Sequence, residues 1–110
     1  MELTDVARKI ESLCNELEER KKDLQNFVAD KPIYNAIRDL KKRVAVETAK
    51  QRAKGTPATI IKDIVSGEVD AEEAHLKQTE MELKAKLALI DATKAQLNGW
   101  QSINKHFPET

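Results

Sequence analysis

Aromatic residues are almost missing from this 110-residue chain: Phe27, Tyr34, Trp100 and Phe107 are the whole set. Leucine, isoleucine, valine and alanine must therefore supply most of any core. Glycine and proline occur only three times each, too few to punctuate a sheet protein with its many turns. The single cysteine, Cys14, excludes an internal disulfide and reads as a small packed hydrophobe, not as a nucleophile. Charge of one sign is also lacking, because nineteen basic and nineteen acidic side chains cancel. A strongly basic footprint for nucleic acid is thus absent at the level of the whole chain. No apolar run approaches the roughly 20 residues that cross a bilayer. The amino terminus has no basic-then-apolar layout of a secretory signal, so the cytoplasm is the expected location.

Strong helix formers are what remain: charged residues make up 35% of the chain, and Ala, Lys, Glu and Leu are its commonest types. The composition predicts a single all-α domain over residues 1–110, with helices at about 3–29, 32–53, 57–66 and 71–105. Leu3, Val6, Ile10, Leu13, Leu17, Leu24 and Phe27 recur at steps of three and four, with Arg20 interrupting the register. So narrow a stripe is the seam of a coiled coil or helical hairpin. Asp30-Lys31-Pro32 ends it, and proline in a first turn opens the next helix. There the stripe is Ile33, Ile37, Leu40 and Val44. Reversal at Pro32 would give a three-helix bundle, and a kink an elongated hairpin arm, the arm being slightly preferred.

Gly55 ends the second helix, and Thr56-Pro57 opens a short third one, Thr56 as its cap. Its apolar residues are Ile60, Ile61, Ile64 and Val65, before a stop at Ser66-Gly67. Asp70 and Glu73 read as a capping box for the last helix, which Phe107-Pro108 closes. That helix is apolar on several sides. Leu76, Leu83, Leu87, Ile90 and Leu97 share one face; Met81, Ala85, Ala88, Ala92, Ala95 and Gly99 lie opposite. Trp100, Ile103 and Phe107 cluster near its end.

Seven cations (Arg38, Lys41, Lys42, Arg43, Lys50, Arg52, Lys54) precede six anions (Glu68, Asp70, Glu72, Glu73, Glu80, Glu82). Side by side in a hairpin the two stretches would neutralise each other, and each suits its helix dipole. Glu72 and His75 have the Glu-x-x-His spacing used by ferritin-like di-iron proteins, with Glu47 in the apolar register of the second helix. One such motif, in an exposed first turn, is weak evidence for a metal site. His106 has no acid or nucleophile at motif spacing, and Gly55-Thr56-Pro57 is no phosphate loop.

The expected function is therefore non-enzymatic: a small adaptor, regulator or inhibitor that binds another protein, without cofactor, and self-associates as a homodimer. Its expected interface residues are the seam from Leu3 to Phe27, the tip (Ile60, Ile61, Ile64, Val65) and the Trp100, Ile103 and Phe107 cluster. Two alternatives stand beside it. A nucleic-acid-associated protein would use Arg38, Lys41, Lys42, Arg43, Lys50 and Arg52; a metal-binding ferritin-like hairpin would use Glu47, Glu72 and His75.

Overall fold

A computed structural model describes residues 2–106, and among them every regular element is an α-helix. The four are α1 (Leu3–Ala29), α2 (Pro32–Ala53), α3 (Ala58–Glu68) and α4 (Asp70–Lys105). The protein is all-α, as the composition and periodicity require. None of the described helices is long and apolar enough to cross a membrane. Phe107 and Pro108 lie outside the described residues.

Chain contacts divide the molecule into two units. One joins α1 to the part of α4 from Leu83 onward; the other holds Asp30–Glu82.

In the first unit the periodic seam is the buried face. Val6 and Leu13 are 0% and 1% exposed, and Ile10, Leu17, Leu24 and Phe27 are half-buried. Leu3 stays out at the helix end. From α4, Ile90 and Leu97 are buried, with Thr93 between them donating its hydroxyl to the Leu89 carbonyl at 2.8 Å. Lys86 Nζ reaches Asp23 at 2.7 Å and lies 5.3 Å from the Phe27 ring centroid. From that meeting point α1 extends back towards Leu3 and α4 forward towards Lys105, so the paired helices run antiparallel. Arg20, the interruption in the stripe, remains half-buried because its guanidinium donates to Glu16 one turn earlier. Cys14 is exposed on the flank, not packed as expected. It falls one residue past Leu13, about 100° around the helix from the buried face.

The expectation of a second copy on this seam rested on its needing a cover. At Val6 and Leu13 the chain itself is that cover.

Between α1 and α2 the chain passes through Asp30 and then Lys31, which adopts the left-handed conformation (φ 51°, ψ 46°) before Pro32. Asn35 steadies the turn, its side-chain amide donating to the Asp30 carbonyl at 3.2 Å. A β-carbon in this region costs roughly 1–2 kcal/mol. Glycine would relieve it but adds about 0.5–1 kcal/mol of unfolded-chain freedom. Lys31→Gly is therefore expected to raise stability by a net of about 0.5–1 kcal/mol. Thermal unfolding followed by circular dichroism reads it as a Tm increase of a few degrees; an unchanged or lower Tm would show that Lys31 carries no strain.

In the second unit, α2 ends at Ala53, and Gly55 two residues beyond it has a φ of 77°, the left-handed stop that its sequence position suggested. Thr56 does not cap α3. Its hydroxyl donates to Gln51 Oε1 at 2.8 Å, and Pro57 takes the cap position with no side-chain bond to α3's first amides. Nor do Ser66-Gly67 end α3. Gly67 lacks a positive φ, and the helix continues to Glu68. Only Val69 then separates α3 from α4. Its amide donates to the Val65 carbonyl and its carbonyl accepts from Glu73, both in backbone bonds (3.1 and 3.0 Å). Asp70 is consequently already helical, so the capping box expected at Asp70 and Glu73 does not form. Val65 and Val69, 4% and 1% exposed, anchor this corner.

Candidate functional site

The apolar stripe of α2 predicts a buried face through Ile33, Ile37, Leu40 and Val44. The face that is buried instead carries Ala36 and Glu47, with Leu40 and Arg43 half-buried between them. At about 100° per residue this is a rotation of about 60° from the apolar stripe. Ile37 and Val44 are thereby left on the flank, each 37% exposed.

The inward face of α2 carries a charge cluster. Glu47 is 5% exposed, yet its carboxylate is ion-paired with Arg43 Nη1 at 3.1 Å and accepts from Lys50 Nζ at 3.3 Å. Arg43 Nε stands 3.5 Å from Glu72 Oε1 on α4: close enough for charge attraction, too long for a hydrogen bond. Arg43 therefore holds two carboxylates at once, and buried charge is tolerated only when paired in this way. The Glu47, Glu72 and His75 set expected of a ferritin-like hairpin does not assemble. Both carboxylates face the guanidinium, His75 is exposed, and among the described residues no cluster of three His, Cys, Asp or Glu can hold a metal ion. Arg43–Glu72 is also the one ion pair, among the described residues, that joins the basic stretch of α2 to the acidic start of α4. The mutual neutralisation expected of those stretches is thus confined to one contact.

On the flank released by that rotation lies a groove of about 410 Å³ between α2 and α3. Val44 of α2, Ile61 and Val65 of α3, and Val69 form its apolar lining. A four-residue connection (Lys54 to Pro57) closes one end, so Arg52 and Ala58 are near it, whereas Val44 and Val69 are at the other. Arg52 and Lys62 border the groove towards the closed end, and Glu73 borders it beyond Val69. Neither Arg52 nor Lys62 makes an ion pair among the described residues, and both are exposed.

The expected tip residues divide around this groove. Val65 is buried beneath it, Ile61 and Ile64 are half-buried, and Ile60 is 45% exposed. Near the end of α4, Trp100 is half-buried and Ile103 is 44% exposed; Phe107 falls outside the described residues. The alanine face of α4 (Ala85, Ala88, Ala92, Ala95) is exposed, as is Met81. Of the six cations expected to touch nucleic acid, Arg43 is tied to Glu47 and Glu72, Lys50 to Glu47, and Arg38 to Asp39. Lys41, Lys42 and Arg52 form no ion pair among the described residues. The groove itself was not anticipated. Its signal in the sequence was the conflict between the apolar stripe of α2 and Glu47 placed in the same register. Compared with known protein families, curated proteins and solved structures, this chain matches none.

Proposed function

We propose that this chain is a non-enzymatic helical module that acts by docking another protein, and that the α2–α3 side of its second unit is the docking face. The observation that supports this most is the groove, where Val44 stays exposed beside Ile61 and Val65 although a rotation of α2 would bury it. Apolar side chains left at a cleft with a charged border are the usual anatomy of a protein contact. The first seam contributes less to this reading than expected, because its Val6 and Leu13 are used inside the chain.

Val44→Asp tests the proposal. Val44 is 37% exposed, so the variant should fold with a Tm close to that of the parent. Leu87→Asp, at a 44% exposed site on α4 in the other unit, serves as the control. Chemical cross-linking in the native host should give a discrete heterologous adduct with the parent and with the Leu87 variant, and none with Val44→Asp. The same adduct from all three proteins would remove the groove from the docking face.

A further inference from the structure

The groove has a direction, and its direction narrows the occupant. From Val44 to Arg52 along α2 is eight residues, about 12 Å at 1.5 Å per residue. The i, i+3 or i+4, and i+7 side chains of a docked helix span about 10.5 Å, so one helical anchor set fits the groove's length. A volume of about 410 Å³ accommodates only a few aliphatic side chains, again an anchor set and not an extended interface. At the closed end, two unpaired cations, Arg52 and Lys62, border the cleft, and the first amides of α3 lie there with no side-chain cap. The positive end of the α3 dipole adds to the same field. One carboxylate, Glu73, borders the opposite end.

We propose that the α2–α3 groove binds an amphipathic helix of a partner protein whose apolar stripe is flanked by carboxylates, with Arg52 and Lys62 recognising those carboxylates. This rests on the docking-module reading and adds the partner's chemistry. Val44, Ile61 and Val65 receive the aliphatic anchors. The two cations set orientation, drawing the acidic end of the partner to the connection between α2 and α3. Nucleic acid is the less favoured occupant, because an apolar floor without an aromatic platform offers phosphates and bases little.

The probe is a fluorescein-labelled synthetic peptide of about 16 residues, long enough to form a helix, with leucines at steps of three and four flanked by glutamates. A second peptide keeps the leucines and replaces every glutamate by lysine. Fluorescence anisotropy with the full chain should show the glutamate peptide binding at least about tenfold tighter, an advantage that shrinks as salt rises. Arg52→Glu/Lys62→Glu should reverse the preference, and Arg52→Gln/Lys62→Gln should abolish it while leaving the helical circular dichroism unchanged. Methyl resonances of Val44, Ile61 and Val65 should shift on titration. If both peptides bind equally and Val44→Asp stops both, the groove docks helices without reading charge; the inference fails and the module reading survives. If neither peptide binds but a labelled oligonucleotide does, in a salt-sensitive way, the inference is overturned in favour of nucleic acid. Binding of no probe overturns the inference, while the cross-linking test alone decides the module reading.

Discussion

Leu13→Ala should lower the unfolding free energy by about 3 kcal/mol. The residue is 1% exposed and sits in the first unit between two other seam residues, half-buried Ile10 and Leu17. Truncation removes the transfer term of three heavy atoms and leaves a cavity that the helix pair can close only in part. Among the described residues of this unit no aromatic ring is fully buried, and Val6, Ile90 and Leu97 are the only other buried apolar side chains. Redundancy is therefore low, and one deletion removes a large share of the packing. Trp100, the only tryptophan and half-buried in the same unit, is a natural reporter. Urea unfolding followed by its fluorescence should show a lower midpoint for the variant. Cys14→Ala, one residue along and exposed, should move that midpoint by no more than about 0.5 kcal/mol equivalent. Similar losses at both positions would mean that α1 does not bury the face described.

Much of this fold was legible because it depends on local rules. The stripe from Leu3 to Phe27 is close to strict in its spacing, and its buried members are the ones the spacing picks out. Pro32 and Gly55 mark breaks for reasons of backbone geometry alone, and both stand where α2 begins and ends. The joins that misled are those where two local signals compete. Ser66-Gly67 resembles a stop, but glycine ends a helix only when its φ turns positive, and packing of Val65 and Val69 holds the backbone helical through it. Asp70 resembles a cap, but the Val69 carbonyl already accepts from the amide of Glu73, so the helix starts before the carboxylate has that role.

The buried face of α2 was legible least of all. Arg43 and Glu72 belong to the basic and acidic stretches expected to lie side by side, but periodicity within α2 gives no sign of which cation turns inward to make the pair. The spacing of Arg43 and Glu47, one turn apart, was the available clue. The candidate groove was hidden for the same reason, since Val44, which lines it, is displaced to the flank.

That buried cluster carries the second large prediction. Arg43→Met keeps the length of the side chain but leaves Glu47, 5% exposed, with Lys50 as its sole partner, and Glu72 with none across the helix contact. Removing Arg43 strands the buried Glu47 charge, and because Arg43 is itself 39% exposed water offsets part of the cost; the loss should be about 2 kcal/mol. Lys50 is 57% exposed and cannot replace a guanidinium that bridges two helices. The double variant Arg43→Met/Glu47→Leu takes away the stranded charge as well and fills the site with apolar volume. It should recover most of the loss, to within about 1 kcal/mol of the parent, because a packed apolar contact replaces a buried ion pair at little or no cost. Hydrogen exchange of α2 and α3 amides reads these effects inside the second unit, and the cycle of Arg43→Met, Glu47→Leu and the double variant measures the coupling. Additive losses in the double variant would show that Arg43 and Glu47 act independently. Recovery would mean that the ion pair adds little net stability, leaving the orientation of α2, and with it the exposure of Val44 at the candidate groove, as the feature to compare between the parent and the double variant.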